Sequence, residues 1–135
     1  MAIHTLSALL PTFQVELRVP PASIAHGGGH PMTRIALVDT GSTITAISPA
    51  VKGALNPSPL GKALYHPRGQ NPIWIDTYLV ILEIEPHTHP SRTFALEVIE
   101  EQPVTPGVDV LLGHNLLGRV VMVWDGPRDR LILTY

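Results

Sequence analysis

A chain of 135 residues is the usual size of one domain, and 44% hydrophobic against 15% charged residues supplies a core and argues against disorder. The formal net charge is −2 and no two Lys or Arg are adjacent, so a cationic field for nucleic acid or an anionic membrane is missing. With no Cys, disulfide frameworks and thiolate metal sites are excluded.

The stretch Leu6 to Leu10 is locally apolar but stops at Pro11, and no basic segment leads into a long apolar one. No apolar run approaches the ~18–20 residues needed to cross a bilayer. The expectation is a cytoplasmic protein forming a single domain over residues 1–135. Fourteen Pro and eleven Gly interrupt the chain too often for long helices and suit short strands joined by turns.

Phe13, Val15, Leu17 and Val19 alternate with Gln14, Glu16 and Arg18, the period of a strand with one buried face, ended by Pro20-Pro21. Beyond the turn region His26-Gly27-Gly28-Gly29-His30-Pro31, a second strand runs from Thr33 through Val38, and the two read as a hairpin. Asp39-Thr40-Gly41-Ser42 interrupts the pattern before the apolar signal resumes at Ile44, Ala46 and Ile47. Ser48 followed by Pro49 is an N-cap with proline at the first helical position, and predicts a helix to about Lys52 ended by Gly53. Asn56 to Gly61 reads as loop.

Lys62 to Tyr65 and Ile73 to Glu85 read as strands around the polar tip His66-Pro67-Arg68-Gly69-Gln70-Asn71-Pro72, a second hairpin. The longer strand is apolar on both faces (Trp74, Tyr78, Val80 and Leu82 against Ile73, Ile75, Leu79 and Ile81), which predicts a central position between layers. Phe94 to Ile99 is a further strand, Val108 to Leu112 a short apolar run, and His114 to Arg119 one or two helical turns. Val120 to Trp124 and Leu131 to Tyr135 close the chain as a hairpin around Asp125-Gly126-Pro127, with Trp124 expected to pack beneath it. The whole is mostly β, with one or two short helices and no internal repeat.

The segment that carries chemistry is Ala36-Leu37-Val38-Asp39-Thr40-Gly41-Ser42-Thr43-Ile44. An apolar strand delivers one carboxylate into a turn, and glycine stands where the backbone must bend sharply. An acid held by hydroxyls and backbone N–H groups between apolar walls is a recipe for tuned proton affinity. The bland reading of Asp39 is a turn-forming residue before glycine, and of Thr40 and Ser42 local turn bonding.

Asp39-Thr40-Gly41-Ser42, with Ile44 two positions on, resembles the retropepsin-like group of aspartic peptidases. Val110-Leu111-Leu112-Gly113 followed by Asn115-Leu116-Leu117 resembles the later apolar-apolar-Gly segment of that family and the short helix after it, and a flap-sized hairpin separates the two motifs. The resemblance spans roughly Phe13 to Tyr135. It implies a closed β-barrel lobe of the acid-protease type with a flap hairpin, acting as an aspartic endopeptidase without a cofactor. It further implies two Asp39 carboxylates about 3 Å apart sharing one proton, the ionised member activating water and the protonated one polarising the scissile carbonyl. Only one Asp-Thr-Gly exists here (Asp76-Thr77-Tyr78 lacks the glycine), so the second acid must come from another copy in a two-fold homodimer.

By the same resemblance, Thr40 bonds across the dimer axis and Gly41 offers its N–H to the carboxylate; Ser42, where many viral members carry Ala, is expected to add a hydroxyl donor to the ionised acid. Arg68-Gly69-Gln70 becomes the tip of a flap that closes over a peptide or protein substrate. Viral members pair an Arg just after the later glycine with an acid four residues beyond the catalytic Asp. His114 and Thr43 stand at those positions, so the interface is expected to be built differently. The rival reading is the same fold without turnover, serving as a peptide-binding or dimerisation module. His26-Gly27-Gly28-Gly29-His30 resembles an esterase oxyanion loop, but no Gly-x-Ser-x-Gly accompanies it. A metal site from His26, His30, His87 and His89 lacks ligand spacing and a partnering Cys or carboxylate.

Overall fold

A computed structural model of the chain describes residues 2–5, 10–21, 30–67, 69–85 and 92–135. The elements run in order β1 (Ala2–Thr5), β2 (Thr12–Arg18), β3 (Met32–Val38), β4 (Thr45–Ile47), α1 (Pro49–Leu55), β5 (Pro59–Tyr65) and β6 (Ile73–Ile84). They continue with β7 (Thr93–Glu100), β8 (Val110–Leu112), α2 (His114–Leu117), β9 (Val121–Asp125), a 3-10 turn over Gly126–Arg128, and β10 (Arg130–Thr134).

Alternation builds the core. β2 turns Phe13, Val15 and Leu17 fully inward, β6 does the same with Val80, Leu82 and Ile84, and β7 with Phe94, Leu96 and Val98. β2 pairs antiparallel with β3, β3 parallel with β8, β8 antiparallel with β4, and β4 parallel with β7. β7 pairs antiparallel with β6, and β6 returns to β2 with Val15 opposite Ile84 and Arg18 opposite Ile81. The result is a closed six-stranded mixed barrel, which leaves none of those six strands as an open edge. α1 adds Val51 and Leu55 to the core, and α2 adds Leu116 and Leu117.

A separate three-stranded sheet, ordered β1-β10-β9, is formed by the ends of the chain. It joins the barrel core through Leu131 and Leu133, and Tyr135 meets Phe94 edge-on at 6.0 Å between ring centroids. β1 carries no clear sequence signal: its strand character comes from backbone pairing with β10, with Ala2 opposite Leu133 and Thr5 opposite Arg130.

Four expectations are corrected. α1 does not stop at Gly53 but runs to Leu55 and ends at Asn56 in the left-handed region (φ 47°). Its start is as expected, with the Ser48 side chain accepting the Val51 N–H at 3.2 Å. β5 begins at Pro59 rather than Lys62, because its residues are ordered by pairing with β6 and not by their own apolar pattern. β6 is not buried on both faces. Only its second half lies in the barrel wall; its first half pairs with β5 alone and projects outward, leaving Trp74 67% exposed. Trp124 does not pack beneath the closing hairpin either: it is 53% exposed on β9.

Candidate active site

β3 and β8 run parallel and in register, Ala36 beside Val110 and Val38 beside Leu112, so the two sequence motifs leave the barrel at the same level. Asp39 follows β3, and its N–H donates to the Leu112 carbonyl at 3.0 Å. The chain then turns, with the Ser42 N–H donating to the Asp39 carbonyl at 3.2 Å and the Gly41 N–H donating to Asp39 Oδ1 at 3.0 Å. A Cβ at position 41 would sit 3.3 Å from that same carboxylate oxygen and press on it. Glycine lets the N–H and the carboxylate meet.

Thr40 is exposed, and its carbonyl faces His114 Nε2 at 2.6 Å. A carbonyl only accepts, so Nε2 carries the proton in this contact. Ser42 departs from its expected role as a donor to the acid. A hydroxyl has one proton, and here it goes to the Ile44 carbonyl at 2.7 Å.

The segment beyond Gly113 braces this turn from below. The His114 N–H donates to the Ser42 carbonyl at 2.9 Å and the Asn115 N–H to the Thr43 carbonyl at 3.2 Å. The Asn115 side chain accepts from Thr45 N at 2.9 Å and from Thr45 Oγ1 at 2.8 Å, and donates to the Glu97 carbonyl at 2.7 Å. Fully buried Thr45 in turn accepts the Gly113 N–H at 3.1 Å. The network ties three strands to the loop that holds Asp39. Neither Thr45 nor the Asn115 side chain had an assigned role from the sequence; an Asn just past the later glycine was the one available signal, and only its partner's position explains it.

Asp39 opens into a cleft of about 440 Å³. One wall is the turn itself, with Ser42, Thr43 and Ile44; another is the β5–β6 hairpin, with Ala63, Leu64, Tyr65, His66 and Ile75; Ile99, Glu101 and Leu111 complete it. Leu111 therefore reaches the cleft, whereas Leu112 is fully buried and Gly113 packs against the backbone of Ile44. Of the expected flap tip, Gly69 and Gln70 are exposed, with Gly69 at φ 73° and the Gln70 N–H donating to the Pro67 carbonyl at 3.1 Å. They do not line the cleft; the arms of the hairpin do. Arg68 lies outside the described residues, as do His26, His87 and His89. Among the described residues no three His, Asp or Glu side chains group as a metal site.

The hairpin is tied to the far wall by the Tyr65 hydroxyl, which donates to Glu101 Oε1 at 3.0 Å. Burial, reinforced by the Glu101 carboxylate that accepts this bond, pushes the Tyr65 hydroxyl above the usual tyrosine range, so it stays protonated as a donor. Among the described residues, no helix is long and apolar enough to cross a membrane.

No family model matches this sequence, and no curated protein matches it. Solved structures do. The retroviral protease-like domain of Ddi1 from Leishmania major superposes with a TM-score of 0.51 at 14% identity, covering 92% of this chain and 89% of that one. A retropepsin-like aspartic protease from Rickettsia conorii aligns at a TM-score of 0.47 and 17% identity, covering 99% of this chain and 94% of that one. At 14% identity the likeness to the Leishmania domain lies in the fold, and the fold here is a retropepsin-like barrel.

Proposed function

We propose that two copies of this chain assemble into an aspartic endopeptidase whose catalytic groups are the paired Asp39 carboxylates. The observation that carries this reading is a carboxylate at the floor of a cleft, fixed by the Gly41 N–H and walled by a long hairpin. Structural bracing alone would need no acid directed into open space.

In the dimer the two acids flank the symmetry axis and share one proton, since like charges about 3 Å apart cannot both ionise. The ionised member takes a proton from a water as that water attacks the scissile carbonyl carbon. The protonated member hydrogen-bonds the carbonyl oxygen, and the proton then passes to the leaving amine. No bond to the enzyme forms. Thr40, exposed beside the acid, meets its symmetry mate; the β5–β6 hairpin, with Gly69 and Gln70 at its tip, closes over the peptide and excludes water.

The exposed apolar run Val121, Met122, Val123 and Trp124 supports assembly with a second copy. It lies on β9, the edge of the terminal sheet, where a second chain both extends the sheet and covers those side chains.

The test is cleavage of a diverse peptide mixture between about pH 3 and 8, read by mass spectrometry, with wild type beside Asp39→Asn. Cleavage that disappears in the variant, by at least a factor of about 10³, is expected from loss of a catalytic acid pair. A dimer that binds peptides and cuts none would overturn the enzyme in favour of a peptide-binding module on the same fold.

A further inference from the structure

The ionisable groups lining the cleft are two carboxylates, Asp39 and Glu101, one imidazole, His66, and one phenol, Tyr65; among the described residues no Lys or Arg lines it. Asp39 has its chemistry. Glu101 does not take part in it, yet it is held as firmly. Its N–H donates to the Ile47 carbonyl at 2.9 Å, which pins the backbone just beyond β7. Its Oε1 accepts from Tyr65 at 3.0 Å. No Lys, Arg or His among the described residues pairs with it, unlike Glu100 beside it, which faces Lys52 at 3.9 Å on the outer surface. A positioned carboxylate without a counter-charge, inside a cleft, is what an incoming cation would complete.

The surrounding wall sharpens the choice of cation. Ile75, Ile99, Leu64 and Leu111 line the same space. Apolar walls leading to a carboxylate fit a side chain with a hydrocarbon stem and a charged end. We propose that Glu101, oriented by Tyr65, is a specificity residue that selects Lys or Arg in the bound peptide. The proposal rests on the peptide-cleft reading above and adds the class of substrate. Because a two-fold dimer presents Glu101 twice, the preference falls at two positions, placed symmetrically about the cleft centre.

Binding and cleavage separate the two readings. Position-scanned, fluorescently labelled peptide mixtures, each with one site set to Lys, norleucine or Glu, are titrated against the Asp39→Asn chain by anisotropy. Lys is expected to bind about tenfold more tightly than norleucine at two sites, the worth of a charge-assisted contact. Adding Glu101→Gln should bring that ratio close to one, and Glu101→Lys should turn the preference toward Glu. Equal binding of Lys and norleucine to the Glu101 chain, a Lys preference surviving in Glu101→Gln, or no peptide binding at all would overturn the subsite. The same mixtures given to the Asp39 chain test the enzyme separately. A Lys preference in binding without any cleavage keeps the subsite and removes the peptidase, and cleavage indifferent to Lys does the reverse.

Discussion

Gly113 illustrates how little room the loop around Asp39 leaves. A Cβ there would come within 2.6 Å of both the carbonyl carbon and the carbonyl oxygen of Ile44, and within 2.9 Å of Thr45 N. All three are backbone atoms in a segment already bonded to Asn115, so nothing nearby can swing aside. Gly113→Ala is expected to cost about 3 kcal/mol, at the upper end for overpacking, seen as a lower urea midpoint at unchanged slope. The proposed cleavage should fall further than stability predicts, because the shift is transmitted directly to the turn that carries the acid. At Gly41 the conflict is with the Asp39 carboxylate itself, at 3.3 Å, so that residue's constraint is on the aim of the acid rather than on the fold.

Among the elements, the closing hairpin of β9 and β10 depends on one carboxylate. Asp125 Oδ2 accepts from Arg130 Nη2 at 3.0 Å and Arg128 Nη1 at 3.1 Å, across the turn that joins the two strands. The Arg130 bond first, then the Arg128 bond, hold its proton affinity below the ordinary carboxylate range. A folded-state value below the unfolded one stabilises the protein while the group is ionised, above the unfolded value. That contribution fades as pH falls through the lowered folded value. Urea midpoints measured down the acid limb should therefore fall less steeply in Asp125→Asn than in wild type, the difference closing at the lowest pH. The other hairpin, β5 with the first half of β6, has the opposite design. It stands away from the barrel, and among the described residues the Tyr65 to Glu101 bond is the side-chain tether that reaches the far wall, which suits the opening proposed for it.

For the molecule as a whole, a single Asp-Thr-Gly has a consequence that no monomeric enzyme would share. If each active site takes one Asp39 from each copy, an equal amount of Asp39→Asn chain, allowed to exchange, should lower the activity per wild-type chain to about half, since random pairing puts half of the wild-type chains into mixed dimers. Activity undiminished by the variant would mean that one chain suffices. Specific activity should also rise with protein concentration until dimer predominates, in step with the mass seen by sedimentation.

Much of this architecture is written in local sequence. Period-two alternation located β2, apolar character without a resolved period located β6 and β7, Ser48-Pro49 marked the start of α1, and Asp39 to Ser42 and Leu111 to Gly113 stood out as the two motifs that the barrel sets side by side. What local pattern cannot carry is pairing between distant segments. β1 and the start of β5 are strands because β10 and β6 lie beside them. Trp74 and Trp124 are exposed because their strands leave the barrel or edge a sheet, where residue type left Trp74 open between core and hairpin base and suggested packing for Trp124. The parallel contacts of β3 with β8 and β4 with β7 bring together residues more than fifty positions apart, and only that closure sets Asn115 under the Asp39 turn and Glu101 opposite Tyr65. Residue type and spacing determined which groups were available for chemistry; the barrel decided which of them face one another, because burying the alternating apolar faces admits very few registers and each register fixes a different set of neighbours.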